Sequence, residues 1–207
     1  MKFAWTVAGD DPDYALGDKH EINGYFWPMF DSLTTKANLK DTVARGHAVG
    51  LYVVTNWPQL ATFSPLDRAN KIVAAWKALA TGANAVAGLR LQIDAEEHGP
   101  GDPAKILAML QEVRKQLPNV NISWTMEAGQ AGWMNDVAFR DAIISLRIRL
   151  VVQCYNGAMT EVWDTWAYLK TLYDGGYPAS ILTPFYDAAH LPHGWDGYAF
   201  TLGRLPA

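Results

Sequence analysis

Short apolar runs alternate with amphipathic stretches along the whole chain. The runs are rich in Val, Ile, Tyr and Trp, which is typical of buried strands. Eight such runs are present, at residues 3–9, 25–30, 48–55, 88–94, 120–126, 150–155, 180–186 and 197–202. We therefore predict eight strands, separated by segments long enough to hold helices.

Helix boundaries are marked in the segments between these runs. A Ser or Asp followed by Pro, at 64–65 and at 102–103, places a capping side chain before Pro at the first helical position. Each pair precedes an apolar pattern with helical spacing, so helices are predicted to begin there. Further helices are predicted over 35–45, over 137–146 with Asn135 as cap, and over 161–174 with Thr160 as cap.

Strands that alternate with helices predict parallel pairing through right-handed crossovers. Eight strands in 207 residues indicate an α/β fold, a small (β/α)8 barrel that forms one domain over residues 1–207. The connections 11–23 and 187–196 are polar and rich in Pro or Gly, so an incomplete helical ring is expected. An open, doubly wound sheet is the alternative, although no G-x-G-x-x-G or Walker sequence supports its nucleotide-binding form.

Composition narrows the classes of protein. The chain is 50% hydrophobic with a net charge of −4, which fits a globular core and argues against a disordered chain or a nucleic-acid partner. No apolar run approaches membrane-spanning length, and the single Cys154 excludes an internal disulfide. Because no secretion signal is evident, cytoplasmic synthesis is expected, with a virion-associated or released location left open.

Carboxylates gather at the predicted strand ends, where (β/α)8 barrels place their chemistry. In the run 88–94, alternation puts Leu91 and Ile93 toward the helices, and Gln92 and Asp94, with Glu96 beyond them, toward the barrel interior. Two carboxylates two residues apart lie about 6–7 Å apart at their Cα atoms. Such proximity raises the pKa of one of the two acids, although the spacing does not say which. Glu96 is predicted as the general acid beside ionised Asp94 because it lies nearer the carboxyl end and has the longer side chain.

Other polar and aromatic residues are predicted at the same rim. An inward Gln and Tyr near the end of the sixth strand need hydrogen-bond partners, which a ligand or the carboxylates of the fourth strand supply. Nine Trp residues favour either core packing or stacking on sugars. The predicted catalytic pair is Asp94 and Glu96, and the predicted substrate contacts are Asp10, Gln92, Glu127, Gln153, Asn156, Trp27, Trp57, Trp133 and Trp195.

The fourth and sixth strands resemble glycoside hydrolase family 18, the chitinases and endo-N-acetylglucosaminidases. Asp94 and Glu96 match the last two acids of its D-x-x-D-x-D-x-E motif, and the segment 153–156 is similar to its Q-x-Y-N segment. This resemblance implies that Glu96 protonates the leaving oxygen, that Asp94 orients the attacking N-acetyl group and that Tyr155 hydrogen-bonds it. The short D-x-E strand also resembles family 25 lysozymes, in which Asp10 would join the two acids.

Departures from the family 18 pattern leave other functions open. Leu89 and Gln92 stand at the first two acidic positions, and the run 197–202 has no Trp. The expected partner is a polysaccharide or peptidoglycan, with no cofactor, metal, nucleic acid or membrane. The alternative is a non-catalytic glycan-binding or structural barrel, for example a bacteriophage virion domain in contact with other virion proteins. A metal enzyme is disfavoured because Glu97 alternates to the opposite face from Glu96, so the cluster of Asp94, Glu96, Glu97 and His98 does not converge.

Overall fold

Parallel strands alternate with helices in the computed structural model, which describes residues 2–6, 14–19, 21–29, 36–54, 64–81, 85–95, 102–126, 132–133, 135–153, 182–185 and 198–199. Each of the eight predicted runs overlaps a strand, with shifted ends. The elements in chain order are β1 (Lys2–Trp5), α1 (Tyr14–Lys19), β2 (Ile22–Pro28), α2 (Lys36–Ala44), β3 (Ala48–Val54), α3 (Pro65–Ala80), β4 (Arg90–Asp94), α4 (Pro103–Gln116), β5 (Ile122–Met126), α5 (Val137–Ser145), β6 (Arg149–Gln153), β7 (Leu182–Phe185) and β8 (Tyr198–Ala199).

Capping side chains begin α3, α4 and α5 as the sequence indicates, with one correction. Ser64 accepts a hydrogen bond from the Asp67 backbone N–H at the start of α3. Asp102 accepts one from the Lys105 backbone N–H at the start of α4. The cap of α5 is Asp136, whose carboxylate accepts from two backbone N–H groups of the first turn. The prediction of Asn135 was wrong by one residue, because Asp and Asn both cap well and sequence alone does not choose between neighbours.

The strands follow one another around the sheet in sequence order, and every pairing is parallel. Strands β1 to β6 form a curled sheet, a half-barrel with the helices on its outer face. The two short strands complete the ring, since β7 pairs with β6 and β8 pairs with β1. Between β7 and β8 a single pair, Phe185 with Tyr198, is in register. The predicted α/β class with a parallel, barrel-like sheet is confirmed.

Apolar side chains fill the layer between the outer face of the sheet and the helices. Leu51, Leu91, Ile93 and Trp124 are fully buried there against residues of α3, α4 and α5. Burial of this face is the main apolar stabilisation of the sheet. The strands therefore present their other face, with a different set of residues, to the barrel interior.

Aromatic rings and two glycines fill the interior near the amino ends of β1 to β3. A Cβ atom on Gly24 would lie 2.3 Å from the Phe3 ring, and one on Gly50 would lie 2.3 Å from the Phe26 ring. The rings of Phe3 and Phe26 lie 5.0 Å apart between centroids. Since both rings occupy the space that Cβ atoms would need, only glycine fits at these two strand positions.

Several predictions fall outside the part of the chain that the structure describes. The helix over 161–174 and the connection 187–196 are among them, so the full set of eight β/α units, the incomplete helical ring and the single domain stay predictions. Within the first connection, 11–23, the described residues include the six-residue helix α1 and the first two residues of β2. No helix among the described residues is long and apolar enough to cross a membrane.

Candidate active site at the carboxyl end of β4

Strand β4 alternates as predicted between the helix layer and the barrel interior. Leu91 and Ile93 belong to the core under the helices. Arg90 lies on the opposite face, with its guanidinium 4.7 Å from the centre of the Phe3 ring inside the barrel. Gln92 and Asp94 follow on that inner face, one and two strand repeats closer to the carboxyl end. Period-two alternation in the sequence was sufficient to place these side chains.

Gln92 is held by two hydroxyl groups of the neighbouring strand β5. Its amide nitrogen donates to the Thr125 hydroxyl, and its amide oxygen accepts a hydrogen bond from the Ser123 hydroxyl. All three side chains are buried, and Gln92 is 0% exposed. Gln92 is therefore bonded within the protein on both sides of its amide, and its contact with substrate stays a prediction. Gln92 forms a neutral, hydrogen-bonded layer beneath Asp94.

Asp94 ends β4 directly beyond this layer. Its Cα is in register with Val54 of β3 and with Thr125 of β5, and the residue is 4% exposed. A buried carboxylate requires polar or charged partners, since the apolar interior disfavours the ionised form. It lies buried at the carboxyl end of a barrel strand, the end at which (β/α)8 barrels place their chemistry.

The other predicted site residues lie mostly beyond the described part of the chain. Gln153 ends β6 with its Cα in register with Phe185 of β7. The remaining positions fall outside the described residues: Asp10, Glu96, Glu127, Tyr155, Asn156, Trp57 and Trp195. The grouping of Asp94 with Glu96 and Tyr155 therefore stays a prediction. Among the residues that are described, no three His, Cys, Asp or Glu side chains gather as a metal site would require.

Two of the predicted sugar-stacking residues have structural roles in the helix layer. Trp27 is 5% exposed, and its indole nitrogen donates to the Thr42 hydroxyl of α2 at 3.1 Å. Trp133 packs against the core, stacked on Trp124 with 6.4 Å between ring centroids and edge-on to Phe139. These placements give Trp27 and Trp133 the contacts of core residues, and their stacking on a sugar stays a prediction. Residues 25–29 are apolar on both faces, so alternation did not reveal which way Trp27 points.

Two inward aromatic residues were not among the predicted site residues. Trp5 of β1 and Tyr52 of β3 stack with 4.6 Å between ring centroids and an interplanar angle of 10°. The Tyr52 hydroxyl donates to the Thr6 backbone carbonyl at 3.1 Å. The sequence did contain a signal for Tyr52. Ala48, Gly50 and Tyr52 occupy alternate positions, and the residues between them form an apolar set that faces the helices.

Comparison with known proteins identifies the fold. Neither the protein families nor the curated proteins yield a match to this sequence. Among solved structures, active domain 2 of a thermostable chitinase from Pyrococcus furiosus, studied as catalytic site mutants with chito-oligosaccharides, matches with a TM-score of 0.60 at 15% identity. That match covers 97% of this chain and 82% of the chitinase chain. A second structure of the same chitinase domain gives a TM-score of 0.58, 14% identity and coverage of 97% and 83%.

At this level of identity the likeness establishes a shared fold. The chain has the fold of a chitinase active domain, as the family 18 resemblance implied. Neither of these two neighbours is a lysozyme, so they give no support to the family 25 resemblance. Function has to be argued from the site itself, because one barrel fold carries many chemistries.

Proposed function

We propose that this protein hydrolyses glycosidic bonds in glycans that contain N-acetylhexosamine. The observation that carries the proposal is Asp94, a buried acid at the carboxyl end of β4. Glu96 follows two residues later in the sequence, as the second acid of a D-x-E pair. The chitinase-like fold supports the same reaction class by analogy. The proposed architecture is a small barrel of eight β/α units with an incomplete helical ring.

In the proposed mechanism, the substrate supplies its own nucleophile. Glu96 donates a proton to the glycosidic oxygen as the bond from that oxygen to the anomeric carbon breaks. The carbonyl oxygen of the substrate's N-acetyl group bonds to the anomeric carbon, with Asp94 and Tyr155 orienting the acetamido group. Water, deprotonated by Glu96, then attacks the anomeric carbon and opens the cyclic intermediate. Substrate assistance of this kind is a known exception to the two-carboxylate scheme.

A neutral, hydrogen-bonded layer lies under Asp94, at a position where the family 18 pattern has a further acid. Gln92 carries no charge and is fixed by Ser123 and Thr125, so this layer adds no second buried carboxylate below Asp94. A carboxylate there would compete with Asp94 for the ionised state. Asp10, Glu127, Gln153, Asn156, Trp57 and Trp195 are among the proposed substrate contacts. A chitin-like polymer is the first proposed substrate, and peptidoglycan is the second.

The test is release of soluble sugar from chitin and from peptidoglycan. Glu96→Gln removes the proposed acid, and we expect a loss of about 10²-fold or more in rate. Glu112→Gln is the matched control, because Glu112 lies on the helix α4 and bonds only Lys115 and Gln116 among the contacts that the structure records. The melting temperatures of the two variants should match. Equal release by wild type and Glu96→Gln from both polymers would refute enzymatic cleavage at this site.

A non-catalytic barrel that binds glycans or serves a structural role, such as a virion component, is the second candidate. The observation that favours it is Gln92, because an amide locked by two hydroxyl groups replaces an acid of the family 18 pattern. The same assay distinguishes the two proposed functions. Wild-type protein that binds chito-oligosaccharides and releases no sugar from either polymer would support binding without catalysis.

A further inference from the structure

One exposed apolar side chain lies on the inner face of the sheet, beside Asp94. Val54 ends β3 and is 38% exposed, although its Cα is in register with that of the buried Asp94. The other exposed large apolar residues of the described chain, Val43, Leu66 and Val137, all lie on helices. Isolated apolar residues on helices are common on protein surfaces. An accessible apolar position on the face that carries the candidate acid has no such explanation.

Tyr52 extends this apolar area toward the barrel interior. It lies two residues before Val54 on the same face of β3 and is half-buried. One face of its ring is covered by Trp5, which is 6% exposed. We call Tyr52 and Val54 together the β3 surface. It combines an aromatic ring and a branched aliphatic group within one strand of Asp94.

The β3 surface is held in place before any ligand binds. The Tyr52 hydroxyl donates to the Thr6 carbonyl, and the ring is stacked on Trp5. At the end of the strand, the Arg68 guanidinium of α3 donates to the Val54 carbonyl at 2.9 Å. Fixing both residues in advance lowers the entropic cost of binding a ligand against them.

We propose that the β3 surface is an apolar subsite that packs against the C–H face of an N-acetylhexosamine unit while Asp94 engages the polar edge of the same unit. The inference rests on the proposed function and deepens it. Pyranose rings present C–H groups on their faces and hydroxyl groups around their edges, so an apolar wall beside a carboxylate matches both chemistries. Trp5 supports the wall from behind and does not itself contact the sugar.

The experiment measures the dissociation constant of an N-acetylglucosamine oligomer by calorimetry, in the Glu96→Gln background so that turnover is blocked. Val54→Ser removes the apolar group without adding charge, and we expect binding to weaken about three- to tenfold. Val137→Ser is the matched control, because Val137 is 55% exposed and lies on α5. It should bind as the background does. Tyr52→Leu, which removes the aromatic ring of the subsite, should also weaken binding.

Val54→Ser keeps the test decisive if Tyr52→Leu fails to fold, since Val54 is partly exposed. Equal affinity for Val54→Ser and Val137→Ser would overturn the subsite while leaving glycan hydrolysis intact if the wild type still releases sugar. Absence of oligomer binding in the background, together with no sugar release by the wild type, would overturn the proposed function and the subsite together.

Discussion

Arg114 should be the most important single side chain for stability at the amino end of the barrel. It lies on α4, and its guanidinium donates to backbone carbonyls at the end of α4, before β5 and at the end of α5. The acceptors are Leu146 at 2.7 Å, Val120 at 2.8 Å, Arg147 at 3.0 Å, Leu117 at 3.1 Å and Pro118 at 3.2 Å. One side chain thus joins the ends of two helices to the segments that enter β5 and β6.

The size of the effect follows from these bonds. One nitrogen of Arg114 serves three of the five carbonyls, and the side chain is partly exposed, so we count three effective bonds at about 1 kcal/mol each. Arg114→Met should then lower the free energy of unfolding by about 3 kcal/mol, or the melting temperature by about 6–12 °C. Burial lowers the pKa of the Arg114 guanidinium, and the nearby Arg147 charge lowers it further, yet arginine stays protonated at neutral pH.

Thermal and urea unfolding followed by circular dichroism measure this effect. Arg114→Lys should lie between wild type and Arg114→Met, because one ammonium group cannot reach carbonyls on both sides of the helix end. Lys115→Met is the control from the same helix, since the Lys115 side chain is 76% exposed and pairs only with Glu112 among the recorded ion pairs. It should leave the melting temperature unchanged. If Arg114→Met and Lys115→Met have the same melting temperature, the carbonyls are satisfied without Arg114 and the reasoning fails.

Two further changes test the interior packing and the helix cap. Gly50→Ala places a methyl group 2.3 Å from the Phe26 ring and should destabilise the protein by about 1–3 kcal/mol in urea unfolding, whereas Gly132→Ala meets no atom within 4 Å and should be neutral. Equal stability of the two variants would contradict the packing. Asp136→Ala should cost about 0.5–2 kcal/mol because α5 loses its cap, and Asn135→Ala should cost less. A larger loss of stability in Asn135→Ala than in Asp136→Ala would show that Asn135 is the cap.

Local pattern decided much of the architecture. The Ser-Pro and Asp-Pro pairs predicted the starts of α3 and α4, because a cap depends on residues within one helical turn. Alternation in β4 predicted that Asp94 points into the barrel and that Ile93 points to the helices. The parallel order of strands followed from their alternation with helices. These features depend on near neighbours in the chain, which the sequence displays directly.

Contacts between distant segments required the tertiary structure. The register of β4 against β5 brings Gln92 to Ser123 and Thr125, which hold its amide in a buried layer under Asp94. The fold likewise places Trp27 in the helix layer and stacks Trp5 of β1 on Tyr52 of β3 inside the barrel. Aromatic and amide side chains suit a core and a binding site equally well. Which of the two they occupy is set by strand register and by the helices that cover each face, and neither is encoded in the spacing of residues along one segment.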